Sequence, residues 1–375
     1  MECYNHNEYM KEEDYYMAKI VVGFVVISIY SALTFYLGWG IKQWLDAMNW
    51  FHYPIFYWLI LYIVSFGIII GRLHESLRVF SVIGNYWMFI FEYGLLLCLT
   101  VQLVMWLTPF HNIRIIGSLA VAMFFILWIF GSYFAYSPVV RHLNIVMPQK
   151  DSELSSMRVV VASDFHLGVL SNKKHLQRFV RLSNEAEPDV VFLAGDIVDD
   201  DPKWFVQEGM AEVMKQLTAT YGVYGVLGNH EYYGKKIPEF VEEMKKAGVK
   251  ILRDETIRVS NAFIITGQED KTNKERKHLE AMKMNDQLPW FVMNHTPDDL
   301  TTPARTGVDL HMSGHTHKGQ LWPNQYITAR VFELDYGYKL KGQMHTLVSS
   351  GFGFWGPPMR IGSRSELWVV DITFQ

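Results

Sequence analysis

The stretch "RVVVASDFH", residues 158–166, decides how the second half of this chain is read. Its apolar run reads as a buried strand, and the strand ends directly in polar side chains, Asp164 and His166. The pattern recurs. A helical spacing in "NKKHLQRFVRLSNEA" lets Leu176, Phe179 and Val180 share a face, and "PDVVFLAGDIVD" is then a second strand opening into a polar loop. A helix over roughly 203–217 precedes "GVYGVLGNH"; another, "IPEFVEEMKKAG", precedes "AFIITGQ". "WFVMNHTPDD" and "VDLHMSGHTH" again end short apolar runs in polar clusters, and "ELWVVDITF" supplies a last strand. Strands alternating with helices predict a layered α/β domain. The polar clusters repeatedly follow strands, where loops along one sheet edge can converge.

Upstream the composition changes. Apolar stretches near 18–38, 53–71, 85–107 and 115–137 each approach the ~20 residues that cross a hydrocarbon core as a helix. The expected organisation is a tail over 1–17, four transmembrane helices over 18–137, a linker over 138–157 and a catalytic domain over 158–375. Pro138, Pro148 and the polar cluster from Gln149 to Ser156 mark the linker. Three further apolar runs follow the first, which argues against a cleaved signal. Glu92 in the third stretch reads as a structural carboxylate between helices rather than part of an ion path. Four crossings put both ends on one side. Lys11, Lys19, Arg72, Arg78, Arg141, Lys150 and Arg158 outnumber Lys42 and Arg114, so a multi-pass membrane protein with a cytoplasmic catalytic domain is expected.

Charge and cysteine content exclude some classes. With 34 basic against 38 acidic residues there is no electrostatic case for nucleic-acid binding. Cys3 and Cys98 make neither a disulfide framework nor a cysteine metal site.

The polar clusters share a chemistry. Asp164 and His166 follow "VVVAS", Asp196 follows "VVFLAG", Asn229 follows "GVLG", His295 follows "WFVMN", and His315 and His317 occupy "GHTH". Carboxylate, imidazole and amide oxygen are ligands for Mn, Fe, Zn or Mg rather than for a sulfur-selective site. Each fragment alone is an ordinary loop; their joint occurrence at successive strand ends is not. The run "SDFHLG", "GDIVD", "GNHEYY", "NHTPD", "GHTHKGQ" resembles the calcineurin-like metallophosphoesterase family, in particular a bacterial membrane-associated phosphodiesterase-like branch, over residues 158–375.

That resemblance implies a four-layer αββα sandwich and two divalent metal ions. Asp164, His166, Asp196 and His317 would surround one ion, and Asp196 would bridge to a second held by Asn229, His295 and His315. His230 would lie by the substrate and stabilise or protonate the leaving group, with Asp199 orienting it. Glu231 would fix the Asn229–His230 loop. Arg360 is a candidate substrate-phosphate ligand, weighed evenly against a surface salt bridge. The implied function is metal-dependent phosphoester hydrolysis, with a phosphodiester favoured and a lipid-linked ester suggested by the membrane helices. Membrane lipids are the other expected partner, and oligomeric state is open. Phosphomonoesterase or protein phosphatase activity, and a noncatalytic membrane sensor, are the alternatives; a transporter is disfavoured by spans offering chiefly Glu92.

Overall fold

The computed structural model describes residues 3–50 and 52–375, with side chains from residue 17 onward. The chain divides into two compact units, Met1–Ile126 and Leu127–Gln375. In chain order the first helices are α1 (Cys3–Met48), α2 (Pro54–Ser65), α3 (Gly67–Leu73), α4 (Arg78–Leu107) and α5 (Ile113–Tyr136). The expected tail over 1–17 falls in α1 from Cys3 onward, and residues 1 and 2 lie outside the described residues. Side chains such as Ile20, Phe24, Ile60 and Leu119 face outward. An apolar exterior of this kind suits hydrocarbon surroundings rather than water.

Among the described residues, three helices are long and apolar enough to cross a membrane: Met17–Met48, Glu75–Leu107 and Ile113–Tyr136. They support a multi-pass membrane topology. The second apolar stretch is not one straight helix. α2 and α3 meet at a bend of 66°, a broken span or a re-entrant loop, so the four expected crossings become three or, with this pair counted, four. Both ends share a side only where α2 and α3 together cross.

The bend is met by specific partners. The carbonyl of Ser65, at the break, accepts a hydrogen bond from Tyr30 Oη at 2.6 Å, and Trp87 Nε1 donates to the same hydroxyl at 2.8 Å. A backbone acceptor released by a kink in hydrocarbon needs such a partner. Beyond the break, Gly67 and Gly84 let α3 and α4 touch backbone to backbone. A Cβ on Gly84 would run into the backbone of Ile68, and one on Gly67 into the carbonyl of Phe80. Small residues at a membrane helix contact permit this approach.

The second unit is an αβ sandwich. Its strands are β1 (Val139–Met147), β2 (Ser156–Ala162), β3 (Val190–Leu193), β4 (Val223–Gly225), β5 (Val249–Ile251), β6 (Glu255–Val259), β7 (Phe263–Gly267), β8 (Trp290–Met293), β9 (Leu310–Ser313), β10 (Gly337–Lys341), β11 (Met344–Val348) and β12 (Glu366–Phe374). One six-stranded sheet runs β1-β12-β2-β3-β4-β5 and the other β10-β11-β9-β8-β7-β6. Val159, Val161, Phe192 and Ile372 from the first sheet meet Phe263, Phe291, Leu310 and Leu347 from the second in the central core.

The shorter helices are α6 (Lys173–Glu185), α7 (Lys203–Gln207), α8 (Met210–Met214), α9 (Asn229–Gly234), α10 (Ile237–Lys246), α11 (Thr301–Thr306) and α12 (Gln325–Val331). Phe179 of α6, Met214 of α8 and Phe240 of α10 pack on the outer face of the first sheet, against Val160, Val191 and Leu193. The outer face of the second sheet is covered more thinly, by Leu279, Met282 and Leu300 against Ile264, Trp290 and Val292. Within the expected linker, residues 139–147 form β1, paired in parallel with β12 from Val139↔Glu366 to Met147↔Phe374. Pro138 and Pro148 bracket this strand instead of marking irregular chain, and Ile145 and Met147 enter the central core.

The α3–α4 contact makes a direct prediction. Gly84→Leu should destabilise the full-length protein in detergent by about 1–3 kcal/mol, the usual cost of overpacking. Gly23→Leu, where an added Cβ meets nothing within 4 Å, serves as control. Thermal melts showing equal loss in both variants would contradict the close contact.

Candidate metal centre

Three parallel strands of the first sheet, β2, β3 and β4, and two of the second, β8 and β9, end at this centre. Asp164 and His166 follow β2, Asp196 follows β3, Asn229 and His230 open α9 after β4, His295 follows β8, and His315 and His317 follow β9. At these ends the backbone must turn sharply. Asp164, His166, Asp196, His315 and His317 all have positive φ, between 45° and 71°. Asp and His tolerate this region better than most residues, yet it still costs on the order of 1–3 kcal/mol per residue and needs an enforcing environment.

The loops brace one another. Asp164 N donates to Gly195 O at 3.0 Å, His166 N to Asp196 O at 3.0 Å, and Gly314 N to His295 O at 2.9 Å. Glu231, buried in α9, accepts from Gly228 N at 2.7 Å, Val198 N at 3.0 Å and Asp196 N at 3.2 Å. It joins the loops after β3 and β4, the bracing role expected of it. Burial and the neighbouring Asp196 push its pKa up to about 7. Gly228 sits so close to Asp196 that a Cβ would overlap the carboxylate.

The expected ligands converge. Asp164, His166 and His317 form one group, and Asp196, His295 and His315 another; within each, the facing ligand atoms lie within 4.8 Å of one another. Asn229 adjoins the second group through Oδ1, 2.8 Å from His315 Nδ1. His166, Asp199 and His230 form a third, overlapping group.

The donor set fits cations. His295 Nδ1 lies 2.8 Å from the carbonyl of Ala194 and donates to it, which leaves Nε2 as the lone-pair nitrogen. That atom is buried without a hydrogen bond, 3.1 Å from Asp196 Oδ2. His166 Nδ1 is likewise buried and unpartnered, while His166 Nε2 faces His317 Nε2 at 3.1 Å. A lone pair facing a carboxylate oxygen, and two imidazole nitrogens facing each other out of water, suit positive charge between them.

Burial raises the Asp164 pKa, and Asp196 adds to the rise against the pull of His295. Burial also acts on Asp196, but His295 and His166 outweigh it and hold that carboxyl well below the usual range. His315 is pushed down to about 4 by burial and by His295. Burial opposes charge on His295, but Asp196 and Asp164 raise its pKa well above the ordinary imidazole value; a cation between them would displace that proton and take the neutral ring as a ligand. The two clusters of His and Asp residues are thus consistent with two divalent metal ions.

His230 stands beside them, its ring edge-to-face with His166 at 4.6 Å between centroids. Its backbone N–H donates to Asp196 Oδ1 at 2.9 Å, and its Nδ1 donates to Asp200 Oδ1 at 2.7 Å. Asp199, the expected orienting residue, is 3.7 Å away from His230 Nδ1 and equally 3.7 Å from His166 Nδ1. Asp200 therefore takes that position; its own φ of 59° marks a second left-handed turn in the loop. Burial disfavours the charged ring, but the Asp200 hydrogen bond and the charges of Asp196 and Asp199 prevail, raising the His230 pKa to about 9.

Arg360 is placed differently from expectation. It is fully buried, and its Nη2 donates to the carbonyls of Ser350 at 2.6 Å and Gly353 at 2.7 Å. With Nη2 also 3.2 Å from His317 Nδ1, the guanidinium stiffens the loop behind a ligand rather than opening to a phosphate or to a surface carboxylate. Sequence reading missed Asp270. This buried carboxylate follows β7 and accepts from Thr296 Oγ1, next to His295, at 2.6 Å. Its position after a strand was the available signal. The mouth beside His230 has two half-exposed aromatics, Tyr233 at 5.4 Å and Trp355 at 6.2 Å from its ring. Phe354 instead packs on Tyr136 inside the unit.

Comparison with known proteins agrees with this geometry. The calcineurin-like phosphoesterase family matches residues 157–319. An uncharacterized metallophosphoesterase of Aquifex aeolicus is 31% identical over 226 residues, covering 58% of this chain and 85% of that protein. An uncharacterized metallophosphoesterase of Campylobacter jejuni is 29% identical, covering 63% of each chain. A bovine transmembrane protein with metallophosphoesterase domain is 28% identical, covering 62% of this chain and 56% of that one. The match thus spans less than two thirds of the latter two relatives. Motifs, geometry and likeness together show that this chain belongs to the calcineurin-like phosphoesterase family.

Proposed function

We propose that the second unit hydrolyses phosphate esters with the help of two divalent cations, and that His230 serves the leaving group. The observation carrying this reading is the convergence of seven N- and O-donor side chains at one edge of the sandwich, from strand ends of both sheets, with His230 held against Asp200 beside them. Bound there, the ions would lower the pKa of a water nucleophile and neutralise charge on the phosphoryl oxygens. Asp164, Asp196, Asn229 and the four ligand histidines hold that charge in place. The imidazolium of His230, oriented through Nδ1 by Asp200, presents Nε2 as a proton donor for the departing oxygen. Tyr233 and Trp355 offer an apolar rim on that side, suited to a leaving group with carbon skeleton or ring.

This machinery serves a monoester and a diester alike, and we take phosphomonoester hydrolysis as its general form. The narrower reading, a membrane-associated phosphodiesterase acting on a lipid-linked ester, draws on the three helices long enough to cross a bilayer. The full-length protein assayed on matched mono- and diesters, soluble and lipid-borne, separates these readings. A rate on the lipid diester well above that on every soluble ester would favour the narrower one.

Two outcomes test the common core. Chelation should abolish hydrolysis, divalent metal should restore it, and Asp196→Asn should lower it by about 10⁴-fold or more, as removal of one member of a cooperating set does. Metal-independent turnover would defeat the reading. His230→Ala should lower kcat by about 10²–10⁴-fold on an alkyl phosphate, the range for a lost general acid, and much less on p-nitrophenyl phosphate, whose leaving group needs no proton. Asp200→Asn should follow the same leaving-group pattern more strongly than Asp199→Asn. Equal losses on both substrates would remove His230 from the leaving-group side.

A further inference from the structure

Outside the metal centre, a cavity of about 280 Å³ is lined by three cationic side chains, Arg141, Lys318 and Arg364, together with Tyr336 and Phe134. Its charges do not balance. Glu366, buried behind it, accepts from Arg141 Nε at 2.7 Å, Trp368 Nε1 at 2.8 Å, Ser350 N at 3.0 Å and Tyr336 Oη at 3.1 Å. Arg141 thus meets the one carboxylate present, using only Nε. Lys318 Nζ lies over the Tyr336 ring at 4.4 Å, and among the described residues it donates no hydrogen bond. Arg364 uses Nε on Ser137 O at 2.8 Å and Nη2 on Ser137 Oγ at 3.3 Å. Among the described residues, neither Lys318 nor Arg364 has a carboxylate within salt-bridge distance. Two surplus cations held in one small cavity repel each other unless an anion joins them.

The position of the cavity says which anion. The Arg364 guanidinium lies over Tyr133 at 5.3 Å and Phe134 at 5.7 Å. Both rings belong to the last turn of α5, which ends at Tyr136 and is long and apolar enough to cross a membrane. Aromatic residues at the end of a span sit at headgroup level, and cations just beyond a span attract anionic lipid. Arginine and lysine donors converging on one point suit phosphate oxygens.

We propose that this cavity binds the phosphate of an anionic membrane lipid, gripped by Lys318 and Arg364 with the free Nη groups of Arg141 beside them. The site is separate from ester hydrolysis and stands whether or not the metal centre turns over.

Native mass spectrometry of the full-length protein, titrated in detergent with phosphatidylglycerol or phosphatidylcholine, tests it. One phosphatidylglycerol per chain should be retained in preference to phosphatidylcholine, and should persist after chelation of metals, which separates it from binding at the metal centre. Lys318→Gln with Arg364→Gln should cut retention by roughly a hundredfold, about tenfold for each of the two lost charge-assisted contacts. Arg158→Gln with Arg258→Gln, exposed pairs elsewhere, should leave it unchanged. Should the double variant fail to fold, Lys318→Glu alone must lose the lipid while Lys318→Arg keeps it. Equal retention of both lipids, or undiminished retention in Lys318→Glu, would overturn the proposal. Displacement of the lipid by millimolar inorganic phosphate would also overturn it, assigning the cavity to free phosphate instead.

Discussion

Two carboxylates removed from water, Asp164 and Asp196, set the terms for the second unit. Isolated burial of a carboxylate is costly, and cations or hydrogen bonds must answer it. Here the answers come from every loop at one edge of the sandwich. His315 N–H reaches the Asp164 carboxylate at 2.9 Å, and the Ser163 hydroxyl donates to it as well. His230 N–H does the same for Asp196, whose other oxygen faces His295 Nε2 at 3.1 Å across the place a cation would occupy. The left-handed backbone at five ligands, the absent Cβ at Gly228 and the buried brace of Glu231 are consequences of bringing these groups together. None would be favourable without the others.

Much of this was legible because strand ends are written plainly in sequence. An apolar run followed by Asp, His or Asn marks both the strand and the direction its loop takes, so the side chains that converge here could be named as candidate ligands before any geometry. Side-chain aim is a different matter. Asp199 and Asp200 are adjacent and chemically identical, and only the folded loop shows that Asp200, not Asp199, comes within hydrogen-bonding distance of His230 Nδ1. Arg360 follows a Gly- and Pro-rich loop typical of exposed chain, yet the carbonyls of residues 350 and 353 draw it fully inside. Tertiary contact overrides local composition in both cases.

The same limit applied to the membrane half and its exit. Hydropathy locates apolar length but not a kink, and the carbonyl at the 66° break between α2 and α3 is met by a hydroxyl from Tyr30 on another helix. β1 was hidden between two prolines because its partner, β12, lies more than two hundred residues away. That pairing ties the chain leaving the last apolar helix directly to the first sheet. The strand, the aromatic end of α5 and the cations of the neighbouring cavity lie together within the second unit.

The central claim is that the converging ligands hold two cations. Metal content of the full-length protein, measured by inductively coupled plasma mass spectrometry after reconstitution with Mn and removal of excess, addresses it most directly. Two equivalents per chain are expected, and Asp196→Asn, which alters the carboxylate facing both His295 and His166, should lose more than one. One equivalent or none in a folded protein, or two retained unchanged in Asp196→Asn, would contradict it.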